Sequence, residues 1–585
     1  MISRQQFSCV TVSLCVLMCL IQACDHKQKQ PHKTTPVTPV DAASDITDST
    51  TTDTTQNGAA TLEVKDVGPS APSIFVLNGM KGYTEPCGCT LDVMAGGIDR
   101  IAGYIEKRQS MATSSFVIDG GNIWFEAPTI RESRVQQEKL KASLLARAYK
   151  DLGVGFTVPG PNDFALGADF FQELTTKAQM TPVAANLTIK GEPLKGTFSK
   201  ELDGVKVGFV GVVDPALFTE VADVKATEAL DALKAGVKAL EDDGASVIVF
   251  VFQGDMPEAK ELVNKVPEVD FVLASYKVEE TDRVDALEHA SAMQVFDQGR
   301  YVGVLKLYPK GEASDRFENA RTGSKSELES VQRQIAYVNA NINKLPPAAP
   351  GEESPMLARL RQRLESLKEE EQKIKHAAVE VPEKGNAFIW QAVRMDEGYP
   401  EDAEIKKAKE ELNHEIKRVN ASQDFELVPA IDGQAFYVGN NQCKTCHAEA
   451  YSFWEKTNHG SALHTLEEKG KEFDQTCVSC HVVGFEKPGG SVLGKLEYEV
   501  ELGDQGYKVQ KDLKNVGCEN CHGPGSFHVE AALFGKKGDP KQWINNVIDE
   551  RTCMESCHVQ EHSPRFNFDV YVKQITGEGH QRKVD

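Results

Sequence analysis

The C-terminal quarter of the chain repeats the pattern Cys-x-x-Cys-His, and this repeat restricts the fold more strongly than any other feature. From about Phe436 onwards, Cys and His are dense while aliphatic runs are sparse. Such a segment cannot build an ordinary hydrophobic core from its own side chains, so it must fold around a bound group. The three copies are CKTCH (Cys443–His447), CVSCH (Cys477–His481) and CENCH (Cys518–His522).

This pattern is the attachment motif of c-type haem. The two thiols add to the vinyl groups of the haem, and the adjacent imidazole is close enough to bind iron from one face. Paired Cys-x-x-Cys units also build zinc ribbons, but neither a ribbon nor a disulfide requires His directly after the second Cys. We therefore predict covalent haem, with thioether bonds from Cys443, Cys446, Cys477, Cys480, Cys518 and Cys521 and proximal ligands His447, His481 and His522.

A fourth candidate motif, CMESCH, has one additional residue between Cys553 and Cys557. The longer spacing changes the thioether clasp, but the Cys-His step that orients the proximal ligand, His558, is intact. We predict a fourth haem at this position, and therefore about four haem c groups in all. Whether both Cys form thioether bonds stays open from the sequence.

Further histidines in the same segment are candidates for the second axial ligand of each iron. An electron-transfer iron usually takes two strong axial ligands, because a fixed six-coordinate centre changes little between its oxidation states. Mostly bis-histidine ligation is therefore expected, although spacing does not show which His belongs to which iron. In order of preference, the distal candidates are His459, His528, His580, His562 and His464.

The residues around the motifs resemble a known family. The stretches YVGNNQCKTCHAEAYSFWEKTNHGSAL, CVSCHVVGF, VGCENCHGPGSFHV and CMESCHVQEHSPRFNF are similar to the cytochrome c-554 type of four-haem domain. The resemblance implies four closely stacked haems in a mainly helical shell, mostly with two His ligands each and sometimes with one open iron. It also nominates His459 (in NHGSAL) and His528 (in GPGSFHV) as distal ligands.

The region from Ser73 to about Pro309 alternates short Val/Ile-rich runs with amphipathic segments, which indicates a layered α/β domain. Its stretches LNGMKG, VIDGGNIWF, GPNDFALG and FVFQGD resemble motifs of the 5'-nucleotidase branch of the calcineurin-like metallophosphoesterases. Two divalent ions need several carboxylate and imidazole ligands. The corresponding positions here hold Gly79, Lys81, Asn122, Pro161, Asn162 and Gln253, so we expect the metallophosphoesterase-like sandwich without its metals.

Two cysteines stand just beyond these positions, in EPCGC. Cys87 and Cys89 are interpreted as a loop-stabilising pair, as a metal site, or as redox thiols that exchange electrons with the haems. A disulfide closed across a single Gly would be strained. Phosphoester hydrolysis is the least favoured function, since it requires these thiols to have rebuilt a metal site.

The N-terminus, MISRQQFSCVTVSLCVLMCLIQAC, resembles a bacterial lipoprotein signal. Its apolar run is shorter than the roughly 20 residues of a membrane span. We predict a signal over residues 1–23, lipidation of Cys24, and a disordered Thr/Asp/Pro-rich tether over 24–72. Export follows, with the periplasmic face of the inner membrane favoured over the outer membrane or the cell surface.

Apolar residues at spacings of three and four, interrupted by PPAAPGEESP, predict a helical hairpin with a coiled-coil seam over residues 323–378. We favour a spacer role over self-association through this hairpin. The remaining boundaries place the α/β domain at 73–310, a linking strand and helix at 379–435, and a mainly α multihaem cytochrome c domain at 436–585.

A chain of 585 residues is too long for one core, which fits this multidomain division. Its net charge of -22, from 87 acidic and 65 basic residues, disfavours nucleic acid as a partner. The sequence predicts a lipid-anchored cytochrome that transfers electrons between redox partner proteins. The alternative is a haem-dependent reductase, in which one open iron reduces a small nitrogen or sulfur substrate.

Overall fold

The computed structural model describes most of the chain after the N-terminal tether. The predictions for the signal segment, Cys24, Cys89 and His562 lie outside the described residues, and Cys87 is described by its backbone alone. Every described element belongs to one compact unit, residues 59–585. The described residues are 64, 67–87, 94–311, 315–320, 331–332, 334–335, 338, 355–376, 379, 381–503, 506–535, 537–559, 563, 566–577 and 580.

The strands are numbered in chain order. They are β1 (Ser73–Leu77), β2 (Pro86–Cys87), β3 (Ala95–Gly96), β4 (Ser115–Asp119), β5 (Val154–Thr157), β6 (Thr181–Pro182), β7 (Leu187–Ile189), β8 (Glu192–Pro193), β9 (Thr197–Leu202), β10 (Val205–Val213), β11 (Val224–Ala226), β12 (Val247–Gln253), β13 (Phe271–Ala274), β14 (Asp285–Ala286), β15 (Ser291–Gln294), β16 (Tyr301–Lys310), β17 (Glu318–Asn319), β18 (Gly385–Arg394), β19 (Glu497–Leu502) and β20 (Tyr507–Asp512).

The α-helices are numbered in the same way. They are α1 (Ile98–Gln109), α2 (Val135–Leu152), α3 (Ala168–Lys177), α4 (Ala229–Asp242), α5 (Met256–Val263), α6 (Pro355–His376), α7 (Ala403–Ala421), α8 (Asn440–Cys446), α9 (Ala448–Trp454), α10 (Ala462–Glu467), α11 (Gln475–Val478), α12 (Cys518–His522), α13 (Ser526–Phe534), α14 (Glu550–Met554) and α15 (Phe568–Ile575). Short 3₁₀ helices span Glu132–Arg134, Pro161–Phe164, Pro215–Phe218 and Pro540–Trp543.

Two large sheets form the α/β part of the molecule. One has seven strands in the order β17-β18-β16-β1-β4-β5-β6, and the other has six in the order β14-β15-β13-β12-β10-β9. Their central strands are short apolar runs buried along their whole length, as expected where both faces of a sheet are covered. Aromatic contacts such as Phe116 with Phe209, 5.7 Å between ring centres, join the two sheets in one core. The predicted layered α/β sandwich is confirmed.

The α/β part extends further along the chain than the sequence indicated. Strand β18, which we placed in a linking segment, lies inside the seven-stranded sheet, antiparallel to β16 and parallel to β17. The boundary at residue 310 therefore falls within this sheet. Near the other end, Ala71 is buried and the Pro69 carbonyl accepts from Lys306, so the last residues assigned to the tether contact the sheet. Such pairings join distant parts of the chain and leave no local pattern.

Part of the predicted hairpin is described. Helix α6 supplies Leu360, Leu364 and Leu367, which form an apolar cluster with residues that include the helical Val331 and Val338. Two segments of the predicted seam are therefore in contact, while the turn between them lies outside the described residues.

The C-terminal segment consists of short helices, α8 to α15, and the hairpin β19-β20. Several small apolar clusters stand where a single core would otherwise be, as its composition predicts. None of the helices that the structure describes combines the length and the apolar character that a membrane crossing requires.

Candidate haem-binding site

Each Cys-x-x-Cys-His motif lies on or next to a short helix. Helix α8 carries Cys443 and Cys446 and is followed directly by His447, while α12 contains the whole third motif. Residues three apart share one face of a helix, so both thiols of a pair lie on the same side. In the described residues all eight cysteines of the four motifs are free thiols, the form from which thioether bonds are made.

The irregular fourth motif absorbs its additional residue in one wider turn. In the first motif the backbone N–H of His447 donates to the Cys443 carbonyl, an i to i+4 bond of 2.8 Å. In the fourth motif the N–H of His558 donates to the Cys553 carbonyl at 2.9 Å, an i to i+5 bond of the π-helix type. The histidine backbone is thus anchored to the first cysteine in both motifs.

Two pairs of histidine rings lie at nearly the same separation. The ring centres of His447 and His528 are 6.1 Å apart, and those of His459 and His558 are 6.3 Å apart. Two imidazole nitrogens about 2 Å from one metal ion, with each ring centre about 1 Å behind its nitrogen, give a separation of about 6 Å. Both pairs therefore fit two axial ligands of one iron.

Hydrogen bonds to one ring nitrogen select the other nitrogen for a metal. Nδ1 of His528 donates to the Pro540 carbonyl at 3.0 Å, and Nδ1 of His558 lies 3.1 Å from the Ser563 hydroxyl. A partner on Nδ1 orients the ring and leaves Nε2 as the metal-binding atom. The proximal candidates of the second and third motifs show the same arrangement: His481 Nδ1 is 2.6 Å from the Ala462 carbonyl, and His522 Nδ1 is 2.7 Å from the Asn545 carbonyl.

The charge state of His459 also suits a ligand. Burial lowers the pKa of this imidazole to about 4, and the nearby His558 and His481 act in the same direction. The ring is therefore neutral at physiological pH, which is the form that binds metal ions.

Two further distal candidates are described, His464 and His580, and neither forms a ring pair with a motif histidine among the described residues. His464 is an exposed side chain beside the carboxylates of Glu467 and Glu468, on the solvent side of α10. The ring of His580 contacts that of Phe453, with 6.3 Å between centres.

The thiols of different motifs are neighbours in space. A hydrogen bond between the Cys443 and Cys518 thiols raises the pKa of Cys443 and lowers that of Cys518. A hydrogen bond with the Cys557 thiol lowers the pKa of the Cys480 thiol to about 7. Burial raises the pKa of Cys521 to about 11, and the nearby Cys553 adds to the rise. The spatial order of the four motifs is therefore first, third, fourth, second.

A buried carboxylate inside the third motif ties it to the first. Glu519, 3% exposed, accepts from the backbone N–H groups of Val438, Gly439 and Gly525, at 2.7 to 3.1 Å. Gly439 is the residue before α8, so this carboxylate sets the start of the first motif. Sequence reasoning did not single out Glu519. The sequence did contain one signal for it: Glu519 is an acidic residue inside the third motif, and glycines stand on both sides of that motif.

At the strand ends that resemble a metallophosphoesterase site, the side chains contact other protein groups. Lys81 and Asn122 have φ values of 50° and 54°, a left-handed conformation that costs free energy and is common at functional sites. Their side chains are engaged with the protein: the Lys81 ammonium pairs with Asp297 at 2.5 Å, and Asn122 Oδ1 accepts from the Asn162 N–H. Among the described residues, no cluster of three His, Cys, Asp or Glu side chains is placed to bind a metal ion.

Comparison with known proteins links the C-terminal segment to a cytochrome family. Residues 442–523 match the model of the family Cytochrome c554 and c-prime. Cytochrome c-554 of Nitrosomonas europaea is 30% identical over 111 residues, which cover 16% of this chain and 42% of that protein. The chain thus spans less than half the length of this relative.

Solved structures similar to the chain include several hydrolases. The 5'-nucleotidase precursor of Thermus thermophilus is 14% identical over 76% of this chain and 87% of that one, with a TM-score of 0.41. The NAD nucleotidase of Haemophilus influenzae is 13% identical over 79% of this chain and 74% of that one, with a TM-score of 0.40. The sulfate thiohydrolase of Thermus thermophilus is 13% identical over 42% of this chain and 55% of that one, with a TM-score of 0.37.

Proposed function

With residues 442–523 matching a c-type cytochrome family, we propose that this chain is an exported, lipid-anchored cytochrome that carries four covalently bound haem c groups. Haem supplies the one-electron chemistry of iron when bound. The protein supplies the thiols, the axial imidazoles and their fixed orientation. The chain would pass electrons between soluble or membrane-bound redox partner proteins while Cys24 holds it at the membrane surface.

One observation carries the proposal: the two histidine pairs at an iron-bridging separation. The pair of His459 and His558 is the more informative, because it includes the irregular fourth motif. A histidine held opposite that motif supports a haem there as well. The pair of His447 and His528 supports bis-histidine ligation at the first motif, and six-coordinate iron suits electron transfer.

The neighbouring thiols support a continuous path for electrons. Contacts between motifs one and three, three and four, and four and two form a chain of adjacent attachment sites. Electrons would therefore enter or leave at the first and second motifs, which are the two ends of this chain.

The test is to produce the protein in a bacterium that attaches c-type haem. We expect a red protein whose mass exceeds the polypeptide by four haem groups, with lipid on Cys24 in the membrane fraction. Replacing His558 by Ala should remove bis-histidine ligation from one of the four haems. A colourless product, or one with the mass of three haems, would contradict the four-haem proposal, and zinc analysis would then test the alternative.

A second function, reduction of a small substrate, is favoured by one observation at the second and third motifs. In the part of the chain that the structure describes, the close histidine pairs involve the first and fourth motifs, and none involves His481 or His522. An iron held by either of these histidines alone would have a free coordination position. A high-spin ferric signal in the purified protein would support this function, whereas uniformly low-spin spectra would argue against it.

A further inference from the structure

The α/β part contacts the haem-binding segment at the second motif. Helix α2 of the α/β part lies against the start of α11, the helix that carries Cys477. Arg134, Gln137 and Lys141 of this region all donate to the Thr476 hydroxyl, at 3.0, 3.2 and 3.1 Å respectively. The contact is therefore a polar one, made by consecutive turns at one end of α2.

A buried ion pair lies at the centre of this contact. The Lys141 ammonium is 2.9 Å from one oxygen of Asp474 and 3.1 Å from the other. Both side chains are 9% exposed. Asp474 also accepts from Gln137, which is fully buried, and caps α11 through the N–H of Thr476.

The pair is close enough to the second motif to act on it electrostatically. Burial and the negative charge of Asp474 raise the pKa of the Cys477 thiol to about 12, while the positive charges of Lys141 and Lys471 act in the opposite direction. Cys477 is a predicted thioether position, so both charges lie near a side chain that would hold the second haem.

We propose that the α/β part tunes the reduction potential of the second haem through the opposed charges of Lys141 and Asp474; the inference rests on the four-haem function proposed above. In this role the α/β part supplies the charges beside one haem attachment site. Lys141 and Asp474 are positioning residues in this role and touch no reacting atom.

The physical reason is that the charges of Lys141 and Asp474 are buried, so solvent screens them weakly. Reduction adds one electron to the haem, so a nearby positive charge favours the reduced form and a nearby negative charge favours the oxidised form. Such an interaction is several times stronger at a buried site than in bulk water. When the two charges are paired, their effects largely cancel.

The test measures each charge separately by potentiometric titration of the complete, haem-loaded protein. Lys141→Met keeps the aliphatic stem and removes the ammonium that contacts the Asp474 carboxylate, leaving only the more distant charge of Lys471 beside it. Asp474→Asn keeps the helix cap and removes the carboxylate that contacts the Lys141 ammonium, leaving the charge of Glu138 beside it. We expect one of the four haem components to move down in the first variant and up in the second, each by about tenfold in the reduction equilibrium, or about 59 mV.

Controls separate this effect from a structural one. Lys150→Met removes an exposed charge from the far end of the same helix and should leave all four components in place. Shifts of the same sign in both test variants, or no shift in either, would overturn the inference while four attached haems still uphold the proposed function. If one variant fails to mature, the sign of the shift in the other decides, because each direction is predicted independently.

Discussion

Replacing Glu519 should destabilise the contact between the first and third motifs. The carboxylate accepts from three backbone N–H groups, of Val438, Gly439 and Gly525, in a site that is 3% exposed. In Glu519→Ala these donors lose their acceptor. Each buried donor without a partner costs about 1–3 kcal/mol, so the variant should lose at least about 3 kcal/mol of unfolding free energy. That is a large share of the roughly 5–15 kcal/mol that holds a typical native protein together.

Glu519→Gln separates hydrogen bonding from charge. Its one carbonyl oxygen can still accept from two donors, so we expect a loss of about 1–2 kcal/mol. The assay is urea unfolding of the haem-loaded protein, followed by the haem absorbance of the C-terminal segment. Glu550→Ala, which removes an exposed carboxylate from α14, is the matched control and should change the midpoint little.

A loss below about 1 kcal/mol in Glu519→Ala would refute this reasoning, because three buried donors cannot lose their acceptor at that cost. A large and equal loss in the Gln and Ala variants would refute it differently. It would show that the charge of the carboxylate matters and that the number of acceptors does not.

The axial pairs, the fourth motif and the α/β core each offer a further test. His528→Ala should convert the first haem from low-spin to high-spin in ferric spectra, whereas His464→Ala, at an exposed side chain, should leave the spectra unchanged. Deleting Glu555 restores the regular motif spacing. Since the wide turn accommodates one additional residue and still holds the His558 backbone to Cys553, the deletion should leave bis-histidine ligation at His558 intact, with unchanged low-spin ferric spectra. Burial raises the pKa of Asp119 from 3.8 to about 7, so the native state keeps a proton that the unfolded chain has released, and this group should lower the unfolding free energy by up to about 4 kcal/mol between about pH 4 and pH 7. Burial also raises the pKa of Asp163 to about 6 and that of Asp270 to about 7, so Asp119→Asn should reduce the total fall without abolishing it. Urea unfolding followed through tryptophan fluorescence measures this, and an unchanged pH dependence would contradict the assignment.

Much of the haem chemistry could be predicted from the sequence because it is local. Two thiols and an imidazole within five or six residues define each attachment site whatever the rest of the chain does. The alternation of apolar runs and amphipathic segments likewise indicated the layered sandwich, since each pattern reflects the burial of its own residues. The expectation that Gly79 and Lys81 stand where metal ligands would be also came from local sequence stretches, and it stays a prediction.

The contacts between distant residues were decided by the tertiary structure. The resemblance nominated His459 and His528 as distal ligands, but the sequence did not show that they lie beside His558 and His447 respectively. It also gave no sign that β18 completes the seven-stranded sheet.

Two other features were likewise decided by the tertiary structure. They are the spatial order of the motifs and the ion pair of Lys141 with Asp474. Lys141 lies on a helix of the α/β part and Asp474 caps a short helix of the haem-binding segment, and only the fold buries the two charges together. Haem attachment depends on residues that are adjacent in the sequence. Which distant side chains pair with one another depends on the surfaces that the folded chain brings into contact.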